Sequence, residues 1–221
     1  MFDPSRPLLI VMDVDSTVIE QEVIELIAAH AGVEDRVRSV TEAAMRGELD
    51  FAASLRARVA LLEGLPISVL DDVRAAVRLT AGARELVDAL HAQGHVVALV
   101  SGGFDAVVQD IAAQVGADHF RANALEVVDG RLTGRVDGEI VDRAVKARML
   151  AEYAAMHEIP VSNTIAIGDG ANDLDMMRDA AIGIAFCAKP VVRGAADACI
   201  DSRDLRGALD IIAAHATGTS G

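Results

Sequence analysis

Two acidic clusters, each set at the end of an apolar run, are the residues of this chain best suited to chemistry. Asp13-Val14-Asp15-Ser16-Thr17 follows the apolar residues 8–12, and Gly168-Asp169-Gly170-Ala171-Asn172-Asp173 closes the apolar residues 164–168. A single aspartate at such a point often just starts a turn. Two carboxylates one residue apart beside a hydrophobic strand are harder to account for. They repel each other and are costly to desolvate unless a cation or a shared proton compensates. In the second cluster, glycines on both sides of Asp169 let backbone and ligand approach closely, although Asn172 or Asp173 can also cap the helix carrying Met176 and Met177. Two parallel strands ending in such clusters can bring them together, and carboxylate oxygens completed by water and phosphate suit Mg²⁺.

A phosphate held there needs positive charge nearby. Ser101-Gly102-Gly103 ends another apolar run and opens a helical pattern, and backbone N–H groups at a helix start attract anions. Lys146 is a second candidate, although a lysine early in a helix is ordinarily a solvated surface charge. Arg58 is more informative. It falls inside the apolar stripe made by Phe51, Leu55, Val59 and Leu62 at helical spacing, whereas Arg56 faces away. A charge in that stripe either snorkels at the helix edge or grips an anion, and its planar fork suits a carboxylate.

Strands and helices in alternation must position these residues. Apolar runs at 8–12, 95–101, 164–168, 182–186 and, more weakly, 198–201 read as strands buried on both faces. Between them lies helical periodicity: Phe104, Val107, Val108, Ile111, Ala112 and Val115 in one segment; Ala83, Leu86, Val87 and Leu90 in another; Val145, Met149 and Met156 in a third. The expected fold class is α/β, a Rossmann-like parallel sheet with helices on both faces. Asp129-Gly130, between 125–128 and 131–136, reads as a hairpin turn. Residues 20–78 break the alternation with successive helical patterns, marked by Val23/Ile24/Ile27, Phe51/Leu55/Val59/Leu62 and Val69/Leu70/Val73/Val77. An insertion after the first strand would lie over the carboxyl ends of the strands, where such sheets bind ligands, so a small helical cap is expected. The expected division is 1–19 with 79–215 as core, 20–78 as cap, and 216–221 as a frayed tail.

Composition narrows the function further. The chain has 221 residues, 52% hydrophobic but 3% aromatic and without Trp, so its core must be built mainly from Ala, Val, Ile and Leu. Its 34 Asp and Glu against 20 Lys and Arg give a net charge of −14, a field that repels nucleic acid and anionic membranes. Neither is expected as a partner. Cys187 and Cys199 lack metal-ligand spacing and the histidines form no HExxH pair, so a zinc site is not expected. MFDPSRP does not read as a signal peptide, and no apolar run approaches the ~20 residues that span a bilayer. A soluble, cytoplasmic protein is expected.

Together these motifs resemble those of the haloacid dehalogenase-like superfamily. Its first motif, DxDx followed by Thr or Val, is matched by DVDST at 13–17, and its second, a strand-end Ser or Thr, by Ser101 in VSGGF. Its third, a lysine, is matched by Lys146, and its fourth, GDGxND, by GDGAND at 168–173. Order and strand-end placement agree over roughly residues 8–212. Within the superfamily the chain is similar to the phosphoserine phosphatase family, which carries a glutamate shortly after the first motif and a cap helix with a Phe and an Arg. Glu22, Phe51 and Arg58 fall at those places, and VSGGF and AFCAKP are typical.

That resemblance implies a Mg²⁺-dependent phosphomonoester hydrolase. Asp13 would attack phosphorus to give an aspartyl-phosphate, with Asp15 as general acid and then general base. It implies an ion held by Asp13, Asp169 and the backbone carbonyl of Asp15, with Asp173 behind them. Ser101, the Gly102 N–H and Lys146 would hold the phosphoryl oxygens, with Asn172 nearby. In the cap, Arg58 would meet the substrate carboxylate and Glu22 its ammonium, with Met45 and Phe51 also against the substrate. The implied substrate is O-phospho-L-serine, in the last step of serine biosynthesis. Three alternatives stand beside it. The same scaffold can serve another phosphomonoester, or pass the Asp13 phosphoryl group to an alcohol. A signalling receiver also phosphorylates a strand-end aspartate, but such modules are shorter and have no counterpart of Asp15. Oligomeric state is left open, a homodimer included.

Overall fold

The computed structural model of the chain describes residues 3, 5–45 and 50–218, the side chains of 42–45 and 217–218 excepted. Four consecutive apolar residues with no exposed surface form the central strand β1 (Leu9–Met12). Its alternate side chains enter two separate cores, Ile10 and Met12 on one face and Leu9 and Val11 on the other. A strand covered on both sides must be apolar on both, which is why a run replaces the usual alternation. The further strands are β2 (Val96–Phe104), β3 (His119–Val128), β4 (Arg131–Asp137), β5 (Thr164–Gly168), β6 (Ile182–Phe186) and β7 (Ala198–Ile200). They form one sheet in the order β4-β3-β2-β1-β5-β6-β7, with every pairing parallel except that of β3 with β4.

Register does the positioning. Met12 lies opposite both Leu99 of β2 and Ile167 of β5. Asp13, Ser101 and Asp169, each one or two residues further on, therefore emerge at one edge of the sheet, with the Asp13 N–H donating to the Ile167 carbonyl at 2.9 Å.

Among the described residues, four helices form the insertion that follows β1: α1 (Val23–Ala31), α2 (Glu34–Met45), α3 (Phe51–Ala60) and α4 (Val69–Ala76). The two ends of this insertion are pinned together: Ile19 bridges Leu79, Glu20 N–H donates to Arg78, and Thr80 N–H donates to Val18. The remaining helices are α5 (Ala83–His91), α6 (Asp105–Val115), α7 (Arg143–Met156), α8 (Leu174–Asp179), α9 (Pro190–Arg193) and α10 (Gly207–Gly218). Side chains of α5, α6 and the insertion pack on the Ile10 face, and those of α7, α8 and α9 on the Leu9 face.

Asp129 and Gly130 both have positive φ, 50° and 74°, as a two-residue hairpin between Val128 and Arg131 requires. The hairpin also reaches the insertion. Gly64 N–H donates to Leu132, Leu132 N–H to Leu65 and Ile67 N–H to Gly130, at 2.8–2.9 Å. Three features depart from expectation. β3 begins at His119 rather than 125, because Arg121 and Asn123 interrupt the apolar pattern of a strand that pairs with β2. The largely polar segment of α2, with Val37 its buried residue among those described, shows no wide apolar stripe and was not anticipated. The end expected to fray from residue 216 continues as α10 to Gly218, and 219–221 lie outside the described residues.

Candidate active site

At the edge where these strands end, Lys146 has no exposed surface, and its Nζ donates to Asp13 Oδ1 at 2.5 Å and to Asp173 Oδ1 at 2.6 Å. The lysine gets there because Asp142 caps α7: its Oδ1 accepts from Val145 N–H and its carbonyl from Lys146 N–H. This fixes the first turn, from which Lys146 points inward. Burial would discharge the ammonium, but the Asp13 and Asp173 carboxylates outweigh it and hold the lysine above its usual pKa. Asp173 is fixed in turn by the Gly170 N–H, which donates to its Oδ2 at 3.0 Å. Gly168 is required here, since a Cβ on it would sit 2.4 Å from the Asp173 carboxyl.

Asp13, Asp169 and Asp173 bring one carboxylate oxygen each within 4.8 Å of one another. Their charge is not matched by one lysine. Burial, then Asp173, raises the Asp13 carboxyl well above its usual range, and burial with Asp173 and Glu22 pushes Asp169 up to about 6. A convergent set of hard oxygen donors with uncompensated charge fits a small divalent cation. Asp173, expected behind the ligands, belongs to this set, whereas the Asp15 carboxylate does not.

Beyond Asp13 the chain coils tightly through Val14–Val18, with Ser16 in the left-handed region at φ 59°. That turn sends Asp15 toward β2. Its Oδ1 is buried without a hydrogen-bond partner, and burial, Glu22 and Asp13 together raise its carboxyl well above the usual range. Gly103 makes room for it, because a Cβ there would lie 3.1 Å from Asp15 Oδ2. The same turn aims Ser16, whose Oγ donates to Glu22 Oε1 at 2.6 Å, and Thr17, whose Oγ1 donates to Asp169 Oδ1 at 3.3 Å. Neither hydroxyl was singled out from the sequence, although both belong to DVDST.

A cavity of about 750 Å³ joins these residues to the inserted helices; its walls include Asp13, Asp15, Glu22, Phe51, Arg58, Gly102, Asp169 and Asn172. Ser101 stands behind it, fully buried, with its Oγ accepting the Gly103 N–H at 2.9 Å. The Phe51 ring approaches Gly102 so closely that a Cβ there would lie 2.9 Å from its tip. Arg58 is turned inward as its place in the apolar stripe predicts, while Arg56 is exposed. Its Nε donates to the Ser54 carbonyl, and burial lowers its pKa against the raising effects of Glu22, Asp15 and Glu25. Burial likewise raises the Glu22 carboxyl, opposed by the Ser16 hydrogen bond. Glu25, Arg143 and Lys189 at the walls were not anticipated. Met45 closes α2, but its side chain lies outside those described.

The haloacid dehalogenase-like hydrolase family matches residues 10–178, spanning both acidic clusters, Ser101 and Lys146. The chain belongs to the haloacid dehalogenase-like hydrolases. Within these hydrolases it is 52% identical over 204 residues to the phosphoserine phosphatase of Streptococcus thermophilus, covering 92% of this chain and 95% of that one. It is 63% identical over 193 residues to the phosphoserine phosphatase of Streptomyces coelicolor, covering 87% of this chain but 47% of that longer protein. A solved substrate-bound phosphoserine phosphatase complex matches this hydrolase with a TM-score of 0.89 at 44% identity, over 93% of this chain and 98% of that one. A phospho-aspartyl intermediate analogue of phosphoserine phosphatase matches with a TM-score of 0.88 at 45% identity, over 93% and 99%. None of the described helices is long and apolar enough to cross a membrane.

Proposed function

We propose that this hydrolase is a cytoplasmic phosphoserine phosphatase, releasing L-serine and phosphate from O-phospho-L-serine as the last step of serine biosynthesis. The single observation that carries the substrate is the cavity itself, whose walls bring Asp13 and Asp15 together with Glu22 and Arg58. A carboxylate and a guanidinium beside a phosphate site match the ammonium and carboxylate of an amino acid. The similarity to phosphoserine phosphatases over nearly the whole of a relative's length supports the same reading. In this reading residues 1–19 with 79–215 form the core and 20–78 a cap whose α3 carries Phe51 and Arg58.

Asp13 attacks phosphorus in line and forms an aspartyl-phosphate, splitting hydrolysis into two displacements. Asp15 starts protonated, which its buried environment favours. It gives its proton to the departing serine oxygen, then takes one from the water that cleaves the intermediate. Ser101, the Gly102 N–H and Lys146 hold the phosphoryl oxygens, with Asn172 beside them. Arg58 orients the substrate carboxylate, Glu22 the ammonium, and Phe51 closes the site from water. Asp13, Asp169 and the Asp15 carbonyl would hold Mg²⁺, with Asp173 adjoining, and the ion when bound neutralises charge so that an anionic nucleophile can approach an anionic phosphate.

The deciding experiment measures phosphate release from L-phosphoserine and a panel of other phosphomonoesters, with Mg²⁺ or EDTA. Turnover that depends on Mg²⁺, favours phosphoserine and vanishes in Asp13→Asn is expected. Broad turnover without that preference would overturn the substrate, and turnover undiminished in Asp13→Asn would overturn the nucleophile.

A further inference from the structure

The strand that carries Ser101 does not run straight past its neighbour. Between β2 and β3 the pairing goes from Val100 opposite Arg121 to Phe104 opposite Asn123. Ser101, Gly102 and Gly103 therefore bulge out against the single residue Ala122. A bulge takes backbone groups out of the ladder, and buried ones must find other partners. The Gly102 carbonyl finds the side chain of Asn123, whose Nδ2 donates to it at 2.8 Å. The Oδ1 of the same amide accepts from Val141 N–H at 2.7 Å. Val141 directly precedes Asp142, the cap that starts α7 and so aims Lys146. Asn123 is itself fully buried and does not line the cavity.

We propose that Asn123 is a positioning residue of the active site. Its one planar amide ties the Gly102 peptide to the start of the Lys146 helix, setting the spacing between two groups that grip the anion. The fit is chemical as well as steric. A carboxamide presents a donor to one backbone and an acceptor to the other at any pH, as an aspartate of the same size does only while protonated. A carboxylate would face the Gly102 oxygen with another acceptor, and an apolar residue would leave both backbone groups without partners. From the other side Gly102 is confined by the Phe51 ring, so a shift of the bulge has few directions open to it. The proposal rests on the phosphatase reading only in taking phosphate as the anion gripped.

The test compares Asn123→Asp and Asn123→Leu with the parent enzyme, each assayed below its unfolding midpoint. Inorganic phosphate serves as a competitive inhibitor of p-nitrophenyl phosphate hydrolysis. Both variants are expected to bind phosphate on the order of 10- to 100-fold more weakly, and to lose kcat/KM on phosphoserine by a similar factor. Inhibition by L-serine, which meets Glu22 and Arg58 instead, is expected to stay at the parent's level. A parental phosphate constant in folded Asn123→Leu overturns the proposal, as does one in Asn123→Asp at a pH where its carboxyl is ionised. So does an equal loss of serine and phosphate binding, which would mean general loosening. Asn123→Gln keeps both polar groups one methylene further out and decides the matter if the other two do not fold: selective weakening of phosphate supports the role, and a parental constant overturns it. If the parent cleaves p-nitrophenyl phosphate but not phosphoserine, the substrate reading fails while the phosphate comparison still decides the role of Asn123.

Discussion

Lys146 is a full charge with no exposed surface, and it sits between two carboxylates, Asp13 and Asp173. Removing one member of such a group leaves the others buried and unpaired, which typically costs about 3–5 kcal/mol. Lys146→Met is therefore expected to lower the unfolding midpoint as well as abolish turnover, read by calorimetry and phosphate release. Arg58 is different, because it lies at the cavity wall rather than within the core. Arg58→Lys keeps the charge but loses the planar fork, and KM for phosphoserine is expected to rise on the order of tenfold with the midpoint unchanged; an unaltered KM would remove Arg58 from recognition. Both residues were readable in advance, Arg58 from its place in an apolar stripe and Lys146 from the motif order. Asn123 was not, since a lone asparagine in a weakly apolar segment carries no pattern, and its meaning depends on a bulge that exists only once β2 and β3 pair.

At the scale of the element, the strand-end turns carry the site. A five-residue coil after β1 orients three side chains at once, Asp15, Ser16 and Thr17, and it depends on a left-handed serine. Ser16→Ala keeps that backbone cost but loses the bond to Glu22. Its expected effect is a KM increase of about fivefold on phosphoserine, from a hydrogen bond worth roughly 1 kcal/mol, with kcat on p-nitrophenyl phosphate unchanged as the readout that separates recognition from catalysis. The strands and the hairpin turn were legible because buried parallel strands are written as unbroken apolar runs. The beginning of β3 and the whole of α2 were not. One carries a buried amide and an arginine, and the other is polar along most of its length, so neither has the period that marks an element.

Across the whole molecule, charge is the quantity to follow. Burial together with Asp173 and Glu22 moves the Asp169 carboxyl from 3.8 to about 6. A carboxyl whose folded pKa lies above its unfolded one weakens the fold as pH rises, because the unfolded chain sheds its proton first. In EDTA, stability is thus expected to decline between pH 3.8 and about 6 and to remain lower above that. Asp169→Asn removes this contribution and leaves those of Asp13, Asp15 and Glu22, which burial also raises. At neutral pH in EDTA it should be more stable than the parent by up to about 3 kcal/mol, with the difference closing on acidification. Mg²⁺ should reverse the order by stabilising the parent and leaving the variant unmoved. Thermal melts across pH with and without Mg²⁺ measure this, and a parent indifferent to Mg²⁺ would remove the carboxylate cluster as its binding site.

The β3–β4 hairpin has a mechanical implication. Backbone hydrogen bonds hold the inserted helices at two separated places: the Ile19–Leu79 bridge, which ties their two ends together, and the rungs that join Gly64, Leu65 and Ile67 to the β3–β4 hairpin. A body held at two places turns most easily about the line through them, like a door on its pins, and Arg74, whose Nε donates to the Ala106 carbonyl at 2.8 Å, is a side chain that such a turn must release. Substrate entry would then be a swing about that axis rather than a lifting away, with the pins intact throughout the catalytic cycle. Amide hydrogen exchange distinguishes the two motions: under turnover conditions a swing leaves Gly64, Ile67 and Leu132 as protected as the sheet, whereas lifting exposes all three together.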